Sequence, residues 1–372
     1  MNKNKGMDLT LLITTILLVA IGIVMVFSSS YSYAMSNLGD GLYFLRRVIR
    51  WAALGTIALT ACSFLNYRIW RRLGTLLMLI SFILLILVLT PVGSEINNAR
   101  RWISIAGFSL MPSEVTKFSI IIFMAASLER KKDAVKLFHQ GVLPYLMMGS
   151  ALFYLIYKQP DFSTSLVVFF VIIIMMFIGG IRISHFIALG VGAVGAVTAF
   201  IMYIFLSGQG YKTNRLTAYL DPWADPTDTG FQTIQSLLAI GSGGLTGKGI
   251  GRSIQKHLHL PEPHNDFIFS IIAEEIGFLG SAFVVLLFAV YIWRCTRIAM
   301  NAPDLFGCLI ASGVTALVSI QVIINIGVAT SLLPVTGIPL PFISFGGNAL
   351  LSLMALTGIV LNISKKTITT GG

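Results

Sequence analysis

The feature that most constrains this chain is the recurrence of apolar blocks long enough to cross a bilayer. About 20 apolar residues cover the hydrocarbon core as a helix. Ten such stretches follow one another, at about 9–30, 48–65, 72–91, 111–128, 142–158, 163–181, 184–207, 266–293, 304–328 and 340–363. A soluble helix would confine its apolar residues to one face, whereas these run as blocks. Only 11% of the 372 residues are charged, against roughly 25% in soluble domains. The expectation is an all-α, polytopic membrane protein, one domain over residues 1–372, with about ten transmembrane helices. Its one large loop, at about 208–265 between spans seven and eight, is rich in Gly, Pro, Asp and Thr, and a loop of that length is usually functional.

A net charge of +11 invites a nucleic-acid reading. The basic residues lie between the apolar blocks rather than in one patch, so they call for a topological explanation. With the N-terminus inside, the inner segments hold Lys3, Lys5, Arg68, Arg71, Arg72, Arg130, Lys131, Lys132, Lys136, Arg182, Arg294, Arg297, Lys365 and Lys366. The short outer segments hold only Arg46, Arg47, Arg50, Arg100, Arg101 and Lys158. This asymmetry puts both termini in the cytoplasm and the large loop outside. Cys62, Cys295 and Cys308 lie in or beside spans and suggest neither a disulfide framework nor a metal site.

Candidate chemistry gathers at the outer ends of the spans. Leu260 to Phe269 reads LPEPHNDFIF, a proline-stiffened approach that turns at once into an apolar helix. Asp266 thus stands at the water–membrane boundary, either as a helix cap or as a general base meeting a lipid-linked substrate. Glu274 and Glu275 lie about 12 Å further along the helix axis, where carboxylates need partners whether their role is functional or structural. At the start of span four, Glu114 and Lys117 share a helix face and can pair; Lys117 could instead face a pyrophosphate. Arg100 and Arg101, beside Trp102, suit phosphate oxygens or lipid headgroups equally. Asp161 sits in the turn between spans five and six, where it would cap or turn the chain as readily as act.

Residues 241–251, GSGGLTGKGIG, resemble a P-loop but lack its Gly at 242 and its Ser or Thr at 249. They read better as a re-entrant or interfacial turn whose amides could bind an anion. His257, His259 and His264 lack the companions a metal site needs. The run Leu333 to Asn348, with Pro334, Pro339 and Pro341 among its glycines, implies broken helix geometry that must be buried or line a cavity.

These segments together resemble the SEDS family (shape, elongation, division and sporulation) of cell-wall glycan polymerases. The resemblance rests on Leu333 to Gly347, Leu260 to Phe269, Asn98 to Ile103, Pro112 to Lys117, Gln159 to Asp161 and Gly241 to Gly251, in family order and over essentially the whole chain. Met25 to Ser30 looks more like the FtsW and SpoVE branch of division and sporulation than the RodA branch of elongation. Met111, Asn98, Asn265 and Phe345 depart from common family residues, and none of these removes a charge.

The resemblance implies a peptidoglycan glycosyltransferase that polymerises lipid II, with a growing glycan on undecaprenyl pyrophosphate as donor. It implies Asp266 as catalytic base. The residues themselves offer Arg100, Arg101, Glu114, Lys117, Asp161, Arg215, Lys248 and His264 as substrate-binding candidates. A divalent cation, Mg or Mn, would suit the pyrophosphate. The implied partner is a class B penicillin-binding protein, a transpeptidase, alongside other division or sporulation membrane proteins. Rival readings are a lipid II flippase and a non-catalytic division scaffold.

Overall fold

The computed structural model describes residues 6–96, 99–105, 108–188, 190, 221–224, 226, 230–256 and 264–367. The seventh predicted span from residue 191 onward, and Arg215 with it, lie outside the described residues. Among the described residues, helices α1 (Leu9–Leu38), α2 (Tyr43–Phe64), α3 (Arg68–Leu87), α4 (Pro112–Lys131), α5 (Leu143–Tyr157) and α6 (Phe162–Ile178) are followed by a shorter α7 (Phe231–Ser242). Then come α8 (Ile268–Met300), α9 (Leu305–Ala329) and α10 (Gly347–Ser364). The chain is a multi-pass membrane protein, as its length and hydropathy pattern require: among the described residues six helices are long and apolar enough to cross a bilayer, and α6 is a shorter apolar one.

The packing is that of a protein in lipid. Large apolar side chains such as Ile57, Leu79, Ile83, Met147, Leu286 and Ile323 face outward, a surface that water would not tolerate. Polar side chains turn inward: Thr15, Ser29, Ser81, Thr116, Ser236 and Thr357 are buried, many returning a hydroxyl to a carbonyl one turn back. Helix α4 sits centrally, against α3, α6, α9 and α10, while α1 packs on α2 and α8. At the end away from the sheet described below, Arg294 of α8 holds the α1 cap Asp8 at 3.1 Å. Nearby, Asp304 caps α9 through the Gly307 amide and accepts from Tyr67 and Arg68.

Three features depart from the sequence expectation. First, the fold is not purely helical: residues 93–110 form a small antiparallel sheet, β1 (Gly93–Ile96), β2 (Ala99–Ile105) and β3 (Phe108–Leu110), in the order β1-β2-β3. Second, the last helix begins at Gly347, not near 340. Residues 340–346 stay coiled because the Leu340 amide is taken by the Ser344 hydroxyl at 2.8 Å and proline at 339 and 341 cannot join a helical ladder. This stretch presses on α1 at Gly22, where a Cβ would come within 2.6 Å of the Phe342 carbonyl oxygen.

Third, the segment expected as an external loop folds partly into the bundle. Helix α7 packs on α8 and α9, and α8 breaks where the segment enters. Gly277 has φ 72° and ψ −168°, which frees backbone groups that lipid cannot satisfy. The glycine-rich stretch after α7 supplies their partners. Lys248 N and Gly249 N donate to Glu274 O and Glu275 O at 3.0 Å, and Phe278 N and Leu279 N donate to Gly244 O and Leu245 O at 2.9 and 3.1 Å. The amides of Lys248 and Gly249, which the sequence offered to an anion, are thus committed to the protein's own broken helix.

Candidate active site

A cavity of about 960 Å³ opens at the end of the bundle that carries the sheet, at the upper end of the range for small-molecule sites. One wall is α2, through Arg47, Arg50 and Trp51; a second is Arg101 and Trp102 of β2 with Met111 and Glu114; Asp161 and Thr164 close a third side. Asn265 and Asp266 face Gly337, Pro339 and the Phe345–Asn348 stretch. The coiled run before α10 therefore lines a cavity, as its prolines and glycines require.

Each residue is placed by local chemistry. Strand neighbours point to opposite faces, so the two adjacent arginines of β2 separate. Arg101 turns inward, its Nε donating to Gln159 O at 3.1 Å and its terminal nitrogen to Pro160 O. Arg100 turns outward to Glu95 at 3.0 Å and does not line the cavity. Arg101 thereby anchors the turn that presents Asp161, whose carboxylate caps α6 by accepting from Thr164 N. Glu114 and Lys117 form a buried pair at 2.6 Å. Lys117 is thus neutralised one turn behind the wall, while Glu114 lines the cavity and its buried Oε2 has no hydrogen-bond partner among the described residues.

Helix α8 starts at Ile268 with Phe267, not Asp266, in the cap position. A Cβ on Gly337 would lie 3.4 Å from Asp266 Oδ2, so glycine there keeps this oxygen uncovered on that side.

Two candidates fall elsewhere. Lys248 is not in the cavity. It pairs with Glu274 at 2.8 Å, and Glu274 also accepts from Ser253 and the Ile254 amide. Glu275 is likewise enclosed, by Lys256 at 2.8 Å and the Ser28 hydroxyl at 2.6 Å. Both deep carboxylates pin the inserted segment to α8. His264 packs behind the wall against Tyr33, Phe44 and Phe345. Burial among these rings lowers its pKa to about 4, so it stands neutral at physiological pH and supports Phe345 rather than meeting an anion.

The structure adds Arg47 and Arg50, which sequence reasoning counted only as topological charges. Their i, i+3 spacing at the end of span two puts them on one helix face, a signal that was legible. Arg47 is braced by the Tyr43 hydroxyl at 2.8 Å. Three guanidinium groups and three carboxylates thus face one space, an arrangement able to hold an anionic diphosphate beside a proton acceptor.

Comparison with known proteins bears on the fold and the family. Stage V sporulation protein E of Bacillus subtilis (strain 168) is 43% identical over 364 residues, 98% of each chain. The protein named Probable peptidoglycan glycosyltransferase FtsW of Trichlorobacter lovleyi is 41% identical over 358 residues, 96% of this chain and 93% of that one. Among solved structures, a chain from a study of how a peptidoglycan synthase complex coordinates polymerization and crosslinking superposes with TM-score 0.79 at 30% identity, over 96% of this chain and 97% of that one. Rod shape determining protein RodA of Thermus thermophilus superposes with TM-score 0.69 at 27% identity, over 98% of both chains. The family model described as Cell cycle protein, built on FtsW, RodA and SpoVE, matches residues 8–369, and the chain belongs to that family.

Proposed function

We propose that this protein is a peptidoglycan glycosyltransferase that polymerises lipid II at the outer face of the cytoplasmic membrane, in division or sporulation. The observation that carries this reading is a cavity lined by Asp266 together with Arg47, Arg50 and Arg101. The sugar hydroxyl of lipid II attacks the anomeric carbon of the donor. Its proton passes to Asp266 as the new glycosidic bond forms, and the bond to undecaprenyl pyrophosphate breaks, with inversion. The guanidinium groups stabilise charge on the leaving pyrophosphate.

A bound Mg or Mn ion would add positive charge at that pyrophosphate. Among the described residues no three His, Cys, Asp or Glu side chains form a ligand set. Ions of this kind often take one or two carboxylates together with substrate phosphate oxygens, and Glu114 and Asp161 fit that lesser role. The flippase reading is less well supported, because the deep charges Glu274 and Glu275 each have a lysine partner and hold the protein together. The crosslinking reaction falls to a partner, a class B penicillin-binding protein, in line with the synthase complex that the fold resembles.

Purified protein should polymerise purified lipid II, faster with its transpeptidase present; no product under either condition would overturn the assignment. Both termini lie in the cytoplasm in this reading. A cysteine at exposed Ala224 should then react with an impermeant reagent added to intact cells, and one at exposed Lys136 should not. The reverse pattern would place the cavity on the wrong side of the membrane.

A further inference from the structure

Three consecutive carbonyls, those of His264, Asn265 and Asp266, are each held by a donor from another part of the chain. Phe345 N donates to His264 O at 3.0 Å. The Ser344 hydroxyl donates to Asn265 O at 2.7 Å and itself accepts from Leu340 N. Asn325 of α9 donates to Asp266 O and to Ile338 O, both at 2.8 Å. Both partners of that amide are acceptors, so it must present its nitrogen to them. Asn325 is buried near the C-terminal end of an apolar helix, where a polar side chain needs a reason to persist.

We infer that Asn325 and Ser344 are positioning residues for the glycosyl transfer: together they fix the backbone of Asp266 against the opposite cavity wall. The amide of Asn325 spans from the base to Ile338, next to Gly337 and Pro339. It therefore sets the distance between Asp266 and the surface facing it. Ser344 performs the same task one residue earlier, and folds its own segment by capping Leu340. Neither side chain lines the cavity, so each acts through Asp266. Displacing a reacting group by about 1 Å can cost on the order of 10²-fold in rate. This inference rests on Asp266 as the base.

The test is a double-mutant cycle on the full-length protein in its transpeptidase complex, with lipid II polymerisation as readout. Ser344→Ala removes one hydroxyl, and Asn325→Leu keeps shape while removing both N–H groups. Each should lower kcat by about 10- to 10²-fold with KM changed less than about twofold, and Ser344→Thr should restore much of the loss. In the Asp266→Asn background the same substitutions should cost less than about twofold, because the group they position no longer acts as base. Full additive losses in that background, or losses confined to KM, would overturn the inference. So would wild-type kcat in both single variants alongside an inactive Asp266→Asn. A wild-type rate for Asp266→Asn would instead remove the base assignment itself. If Asn325→Leu fails to fold, the Ser344 arm alone decides.

Discussion

Asp266→Asn should lower the rate of glycan polymerisation by about 10²–10⁴-fold, the usual contribution of a general base, while leaving the protein folded. The substitution keeps size and shape and removes basicity. It should spare stability because a contact that holds this residue in place is made by its carbonyl oxygen, to Asn325, and an amide side chain does not disturb that bond. Nor does it remove the residue in the cap position, which is Phe267. Protein yield, thermal unfolding and transpeptidase binding should therefore match wild type. The measurement is product formation from lipid II by the purified complex at saturating substrate. A rate close to wild type would show that Asp266 is not the base and would turn attention to Glu114 and then Asp161, the other carboxylates of the cavity. A scaffold would tolerate the change without consequence, so complementation of a depletion strain separates the readings a second time.

How much of this was legible in the sequence depends on the kind of signal. Apolar block length is a one-dimensional property and transfers directly to helices, so most spans lie where the sequence placed them. The cavity wall at 337–347 was legible for a similar reason: proline and glycine in an apolar run leave backbone groups that must find partners. Pairing across the fold was not legible. Arg100 and Arg101 look equivalent in the sequence, and only the strand beneath them assigns one inward and one outward. Lys248 looked like an anion ligand because its ion-pair partner, Glu274, is 26 residues away along the chain. The small sheet escaped notice because its strands are short and lie between long apolar blocks. The clamp on Asp266 could not have been found, since Asn325 and Ser344 meet it from two other segments of the chain.

The buried pair of Glu275 and Lys256 should be the most sensitive structural point in the protein. Its carboxylate is fully enclosed and accepts from Lys256 Nζ at 2.8 Å and Ser28 Oγ at 2.6 Å, tying α1, the inserted segment and α8 together beside the break at Gly277. The break adds to the demand for order. Its hydrogen bonds to residues 244–249 exist only while the inserted segment stays docked, and the lysine pins that segment from its far end. Removing one member of a buried pair leaves the other charge uncompensated, at a cost of about 3–5 kcal/mol. Glu275→Gln and Lys256→Met should each lose stability on that scale, read by denaturation in detergent. Glu275→Gln combined with Lys256→Met removes both charges and leaves an amide for Ser28. It should recover much of the loss, with a coupling energy of about 2–3 kcal/mol. Independent, additive losses would mean that the two side chains do not depend on one another. Recovery in the double variant, together with restored polymerisation, would assign these deep charges to the architecture that carries Asp266 and not to a path for a transported lipid.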